Sequence, residues 1–431
     1  MYRLIVFSLQ FIILLTALTF IFTNPFTISL DIKNIKYSFS SNIFAAIALI
    51  FILSFYAILF LYFKSRITFV NYLLKNKYRK LDKGYFYFVE AMIAIANKDN
   101  RSAIKSHKKM QSYLKDDPSL SLLLKSEVYK IERNYSELSE IYEKMLKSKK
   151  TESLGLRGLM EQNLKNQDYH HAFLYGEKLF SLNPSIEKLY DTLIYIAAKT
   201  KNWNQLIIIS DKAYNKKIIN RDLLYENKSI GFYEIANINS ESNLKDATKN
   251  ILKALDLKKN FPPYIKLHLE LISKSNNLSL LKKYIKRYWS SNPNSIVRNI
   301  LTDIIISNNI KDLPFIYQII KTNRDYDESK KLLVYFAIQN QEWKIARDNI
   351  TGLIGPNPSR EVCLFMADIE LGENNDKQKS DSWILRSENT LVENLWFCKI
   401  TKKTQQEWKS LSEAGYFNSL VLDESKMLSN N

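Results

Sequence analysis

The soft-ligand chemistry of this chain rests on four histidines, His107, His170, His171 and His268, and two cysteines, Cys363 and Cys398. A structural zinc needs four such ligands converging on one point, and these six are too few and too scattered. His170 and His171 are adjacent. On a helix, adjacent side chains point about 100° apart, so the pair cannot easily grip one ion. They read as surface histidines, with a haem ligand as the alternative. Two cysteines make no disulfide framework and suit a reducing compartment. Acidic pairs such as Asp116-Asp117 fall at helix ends, where capping accounts for them. No G-x-S-x-G, H-E-x-x-H, P-loop or G-x-G-x-x-G occurs, and 9 glycines in 431 residues argue against an α/β nucleotide enzyme. The expectation is a chain without catalysis, cofactor or resident metal.

What would position any binding residue is a repeat. Residues 153–186 carry Leu156, Leu159, Met160 and Leu164 at helical spacing, then a break at Asn166-Gln167-Asp168. Asp168 can cap a second helix that turns Tyr169, Ala172, Phe173, Gly176, Leu179 and Phe180 inward and stops before Asn183-Pro184. Tyr135, Tyr169 and Trp203 stand 34 residues apart, and 34 is the tetratricopeptide period. Asp168-Tyr169-x-x-Ala172 with Asn183-Pro184 follows the D-Y-x-x-A and N-P pattern of that repeat. Trp343 and Ala346, followed by Asn357-Pro358, repeat it.

Helix pairs are predicted at 85–97 with 101–115, 119–132 with 135–148, 187–200 with 203–217, and 221–237 with 243–258, Ser240 being a candidate N-cap. Further pairs follow at 262–275 with 278–291, 295–307 with 311–322, 326–340 with 342–354, and 359–371 with 377–387. The array spans 84–387, with two halves meeting near 238–242. Each pair buries its apolar face only against its neighbours, which predicts a stacked solenoid. First helices should line the groove. Its candidate partner-binding residues are Arg157, Glu161 and Lys165 from one repeat and Asp191, Tyr195 and Lys199 from the next. Tyr135, Tyr169, Ala172, Trp203, Trp343 and Ala346 are expected to pack the repeats together.

The N-terminal region reads as a transmembrane hairpin over 1–66. Residues 4–23 and 43–63 are uncharged runs long enough to cross a bilayer, and no signal-peptidase pattern follows the first. The loop 24–42 alternates Ile28, Leu30, Ile32, then Ile35, Tyr37, Phe39, which suggests strands turning at Lys33-Asn34. Lys64, Arg66, Lys75, Lys77, Arg79 and Lys80 then face one acid, Asp82. The positive-inside rule places both termini and the array in the cytoplasm and the loop outside. Residues 67–83 form a basic juxtamembrane linker helix. It either lies on anionic lipid, with Val70, Leu73 and Leu74 dipping in, or simply continues into the array. The net charge of +18 does not indicate nucleic acid, because the lysines are spread over nearly every helix.

Several stretches together resemble the HemY family of proteobacteria. Gly155-Leu156-Arg157-Gly158-Leu159, with Asn166-Gln167-Asp168 and Ala172, is similar to that family's G-L-R-G-L…G-D…A block. Glu342-Trp343-Lys344-Ile345-Ala346-Arg347 is similar to its G-x-W-x-x-A-R, and Met366-Ala367-Asp368-Ile369-Glu370 with Trp383-Ile384-Leu385-Arg386 to its M-A-E-I-E…W-L-x-R-A. The tail, 388–431, resembles the zinc ribbon of alphaproteobacterial members. Around Trp396-Phe397-Cys398, Glu407-Trp408 and Gly415-Tyr416-Phe417, however, Thr401, Leu411 and Ala414 stand at three of the four ligand positions. One thiolate cannot hold a structural zinc. The tail is expected to be a degenerate ribbon without metal, either a small apolar fold on Trp396, Trp408, Phe417 and Leu420 or a flexible tail.

The fold class expected is therefore all-α: a two-helix transmembrane hairpin, a tetratricopeptide-like α-solenoid and a small degenerate ribbon. The resemblance implies a membrane-anchored scaffold that binds partner proteins, among them enzymes of tetrapyrrole (haem) biosynthesis. The alternatives are an envelope-assembly adaptor with other clients and a direct tetrapyrrole-binding protein. The partners are thus proteins and the lipid bilayer, with no nucleic acid.

Overall fold

In a computed structural model, the structure describes residues 2–32, 35–114, 118–388 and 396–422. The chain divides into two units, Met1–Tyr135 and Ser136–Asn431.

The first unit opens with α1 (Tyr2–Thr23), then strands β1 (Thr27–Ile32) and β2 (Ile35–Ser40) paired antiparallel with Ile32 opposite Ile35. The turn expected at Lys33-Asn34 lies outside the described residues, as does the Asp116-Asp117 pair. Helix α2 (Ser41–Ala96) runs unbroken for 56 residues, about 84 Å at 1.5 Å per residue. It joins the second apolar run, the basic linker and the first array helix into one rod, because no proline and, before Gly84, no glycine interrupts it. The linker is therefore not a separate element: Lys64, Arg66, Lys75, Lys77, Arg79 and Lys80 are all exposed along this rod. Among the described residues, α2 is the helix found long and apolar enough to cross a membrane. Its last turns pack Ala91 and Ala94 against α3 (Asn100–Tyr113) and α4 (Pro118–Glu132).

The second unit is a run of antiparallel helix pairs, with α5 (Tyr135–Met145) at its start. The pairs are α6 (Glu152–Lys165) with α7 (Tyr169–Leu182), α8 (Leu189–Lys199) with α9 (Trp203–Asn215), α10 (Arg221–Asn239) with α11 (Leu244–Leu257), and α12 (Pro262–Lys274) with α13 (Leu278–Ser291). Then come α14 (Ser295–Ser307) with α15 (Leu313–Ile320), α16 (Asp327–Gln339) with α17 (Trp343–Ile350), and α18 (Arg360–Asn374) with α19 (Lys377–Glu388). This is the α-helical repeat array that the 34-residue period predicts.

Four of the turns within pairs share one device. A non-glycine residue in left-handed conformation stands two residues before the second helix: Gln167 at φ 59°, Lys201 at 55°, Asn276 at 54° and Gln341 at 59°. At three of these turns an Asx cap follows. Asp168 Oδ1 accepts from the His171 N–H at 3.1 Å, Asn202 from Gln205 at 3.4 Å and Asn277 from Leu280 at 3.0 Å. Ser240 does not serve as the cap for α11. It ends α10, and Asn243 accepts from the Asp246 N–H instead, since the longer α10 displaces the turn by three residues. L-residues in this conformation carry strain that glycine avoids. Gln167→Gly and Lys201→Gly should each stabilise by about 0.5–1 kcal/mol, the steric relief exceeding glycine's entropic cost. A raised urea midpoint at unchanged slope would show it; a lowered one would mean these side chains make contacts worth more than the strain.

The G-L-R-G-L block does packing work. A Cβ on Gly158 would fall 2.2 Å from the Tyr142 ring, so only glycine lets α5 approach α6 this closely. Ala172, Ala346 and Trp203 are buried, Tyr169 and Trp343 half-buried. Tyr135, expected to pack the repeats, is the first residue of α5 and 47% exposed.

Two large core clusters divide between α9 and α10 rather than at 238–242: one runs from Leu156 to Ala213, the other begins at Ile230. In the second, an ion cluster spans three successive first helices. Arg298 of α14 is 4% exposed and binds Glu328 of α16 at 3.0 Å and Glu361 of α18 at 2.7 Å; Lys331 meets Glu328 at 2.8 Å. Arg347 and Glu370, from two of the motif blocks, likewise join α17 to α18 at 2.9 Å.

Candidate partner-binding face and the docked tail

Helix periodicity decides which residues the array offers. On α6, positions 155, 156, 158, 159 and 160 are buried, leaving Arg157, Glu161 and Lys165 exposed one turn apart. On α8, Asp191, Tyr195 and Lys199 form the matching exposed stripe beside buried Tyr190, Leu193, Ile194 and Ile196. Arg157 Nε donates to Glu161 Oε1 at 2.8 Å, a surface pair that orders the stripe and contributes little stability. The α6 row alternates in sign, and the α8 row runs from acidic Asp191 through neutral Tyr195 to basic Lys199.

Sequence reasoning missed what lies beside this stripe. The tail is folded over 396–422, as three short antiparallel strands, β3 (Trp396–Cys398), β4 (Thr404–Gln405) and β5 (Leu420–Leu422), in the order β4-β3-β5. It has no core of its own. Trp396, Cys398, Trp408 and Leu420 belong to the array's second cluster, Leu411 packs on the first, and Phe417 packs on both. The tail therefore bridges the two clusters. Trp408 is gripped by Tyr233, Phe261 and Tyr264, with ring centroids at 5.4, 5.2 and 6.0 Å. Glu407 lies 3.7 Å from Lys266, and the Ser410 hydroxyl bonds Glu234. Tyr233, Glu234, Tyr264 and Lys266 stand on α10 and α12, which are first helices. The tail also reaches the predicted stripe: a Cβ on Gly415 would lie 3.6 Å from Lys199 Nζ.

Two cavities flank Trp396 where tail meets array, of about 400 and 620 Å³. The first is walled by Tyr233, Trp408 and three carboxylates, Glu270, Asp303 and Glu407, against one cation, Lys266. Burial raises the pKa of Glu270, as it does that of Glu234.

Cys398 is buried in the tail, with its Sγ 3.4 Å from the Ser419 hydroxyl. That hydroxyl, then the Thr401 hydroxyl and backbone N–H, bring its pKa down to about 6. Its turn bonds back from the Lys402 N–H to the Cys398 carbonyl at 2.9 Å, and the second turn closes from the Gly415 N–H to Ser412 at 2.7 Å. The histidines do not converge. His170 and His171 are exposed, His171 held 2.7 Å from Asp168. His268 is buried, its Nδ1 2.6 Å from the Tyr288 hydroxyl, and burial lowers its pKa to about 4. Burial likewise lowers that of His107. Among the described residues no three His, Cys, Asp or Glu side chains come together as a metal site.

Trp408→Ala should release the tail, because it removes the ring that three aromatic side chains hold. Limited proteolysis should then cut near 396–422 at least about tenfold faster, with the array's melting curve little changed. An unchanged cutting rate would mean that the other contacts hold the tail without this ring.

No protein-family model matches the sequence, and no curated protein matches it. Among solved structures, the chain is similar to the TPR2AB-domain:pHSP90-complex of yeast Sti1 at 10% identity, covering 71% of this chain and 98% of that one, with a TM-score of 0.30. Yeast Tom70 aligns at 15% identity over 73% and 78% of the two chains, TM-score 0.30, and a tetratricopeptide repeat protein from Parabacteroides merdae at 12% over 72% and 100%, TM-score 0.26. At such scores the superposition adds nothing to what the chain's own helix pairs establish, which is an α-helical repeat array.

Proposed function

We propose that this protein is a membrane-anchored scaffold that holds partner proteins on the first-helix face of its array. The observation that carries this reading is the exposed stripe of mixed charge, Arg157, Glu161, Lys165, Asp191, Tyr195 and Lys199, on helices whose other faces are spent on packing. Such a face, presented by a stacked array, suits an extended or helical protein segment. Anchoring is supported by α2, whose run 43–63 is uncharged and exposed along most of its length. The cytoplasmic array follows from the basic flank by the positive-inside rule, the two-pass hairpin from the two uncharged runs 4–23 and 43–63, and the inner-membrane location from the resemblance to the HemY family. The clients we propose, from the resemblance to the HemY family, are enzymes of tetrapyrrole biosynthesis. The tail, on the same footing, is a ribbon that has lost three of four ligands.

Three measurements test these statements. Full-length protein in detergent should enrich tetrapyrrole-pathway enzymes from an extract, and Arg157→Glu/Asp191→Lys/Lys199→Glu should cut that enrichment about fivefold or more. Enrichment of envelope-assembly proteins instead would remove the haem assignment, and enrichment indifferent to the triple variant would remove the face. A reporter fused after Ser65 should be active only in its cytoplasmic form; periplasmic activity there would reverse the orientation. Purified protein should carry zinc far below one equivalent, with a melting curve that chelator leaves unmoved; stoichiometric zinc would refute the ligand loss.

A further inference from the structure

The helix α2 carries a pattern that neither the membrane reading nor the repeat uses. Beyond the apolar run, Ile67, Val70, Leu74, Tyr78, Leu81, Tyr85, Val89 and Met92 follow one another at intervals of 3, 4, 4, 3, 4, 4 and 3. That is an exact eleven-residue repeat: Ile67, Tyr78 and Val89 hold one position, Val70, Leu81 and Met92 the next, Leu74 and Tyr85 the third. Eleven residues in three turns is 3.67 per turn, close to the natural helix, so the stripe runs nearly straight with a slight right-handed supercoil. At 100° per residue all eight fall within an arc of about 100°. No Lys, Arg, Asp or Glu of 64–96 falls inside that arc. All eight side chains are exposed. They are not the face that packs the array, because the buried positions, Gly84, Ala91 and Ala94, lie about 90°, 110° and 170° around the helix from the centre of the stripe.

An apolar stripe of this length, about 38 Å, free of charge along a helix whose other faces mix Lys and Arg with exposed Phe69, Tyr72, Leu73, Phe86 and Ile93, is a docking face. We propose that its occupant is a second copy of the chain, α2 against α2 in parallel and in register over 67–92. Two observations select that partner. A helix that meets this stripe along its whole length must itself carry an eleven-residue period, and a second α2 carries it by definition, each layer meeting its own counterpart. The area also suffices: two stripes of eight large apolar side chains bury on the order of 1,000 Å², the threshold for a specific interface. The opposing term is charge. Lys64, Arg66, Lys75 and Lys77 flank the stripe in both copies and repel one another. This repulsion acts across solvent and is screened within about 8 Å at physiological salt. It gives the dimer a signature: salt should tighten it. A heterologous partner helix with acidic flanks would show the opposite dependence. The inference does not depend on the identity of the clients.

The test uses the full-length chain in detergent, with light scattering for mass and oxidation for geometry. The wild type should be a dimer whose dissociation constant falls as salt is raised. Leu74→Asp/Leu81→Asp should weaken it by about 100-fold or more, since each copy would bury two carboxylates. Because these side chains are exposed in the protomer, circular dichroism and the melting curve of the array should be unchanged, which separates lost pairing from lost folding. Val70→Cys and Leu81→Cys should each form a disulfide-linked dimer on oxidation, and Arg79→Cys, on the far side of the helix, should not. A wild-type monomer at all salt concentrations, a dimer indifferent to the aspartates, or equal crosslinking at Arg79→Cys would each overturn the proposal.

Discussion

Ala172→Arg should abolish the cooperative melting of the array, or lower its stability by more than about 4 kcal/mol. Ala172 is fully buried on α7, against α6. One turn further on, a Cβ at Gly176 would already lie 2.8 Å from Leu193 and 3.0 Å from Met160. The interface therefore has no slack to admit a side chain six heavy atoms longer. Overpacking of this kind costs about 1–3 kcal/mol. The guanidinium adds the cost of burying a charge among the apolar side chains of Leu156, Met160, Leu179 and Phe180. Thermal unfolding followed by circular dichroism measures it. A curve superimposable on the wild type would mean that Ala172 does not lie in a helix contact, and the repeat register would fall with it. Ala172→Ser, which adds one atom and no charge, should cost far less.

Arg298→Ala should be nearly as damaging, by about 3–5 kcal/mol, for the opposite reason: it removes a charge that others need. Arg298 holds Glu328 and Glu361 from the two following first helices, and all three lie at or below 30% side-chain exposure. Burial already pushes the pKa of Glu361 up even with Arg298 beside it. Without the guanidinium, Glu361 would be a buried carboxylate facing only Lys331, which Glu328 also claims. Adding Glu361→Ala to Arg298→Ala should restore part of the loss, because it deletes the orphaned charge. A double variant less stable than Arg298→Ala by the full cost of Glu361→Ala would show that the two residues act independently. Arg298 also fixes the spacing of α14, α16 and α18, so chemical denaturation should show the loss in the midpoint without a change of slope.

Neither residue belongs to the groove stripe, and that contrast shows where sequence reasoning reached. The helix pairs were legible because the signal is local and redundant. Apolar spacing sets each helix, and Asx residues at 168, 202 and 277 set each start. The exposure of Arg157, Glu161 and Lys165 followed from the same periodicity, since residues four apart share a face. Even the correction at Ser240 is local: two capping candidates lay three residues apart, and the length of α10 chose between them.

What sequence could not decide depends on contacts between distant residues. Nothing in Glu407-Trp408 announces that it docks between Tyr233 and Tyr264, some 150 positions away, because a ring among three rings is a property of packing. Cys398 read as the remnant of a ligand set; its lowered pKa comes from Ser419 and Thr401, which only the fold brings to it. Arg298 read as one more basic residue in a chain of 62 lysines and arginines. Its meaning arises from three helices, α14, α16 and α18, stacking at the repeat distance. By itself, then, the sequence determined the period, the caps and the exposed stripes, all of which follow from neighbours within two turns. The tertiary structure decided where the tail lies and which charges are buried together, because these depend on long-range packing.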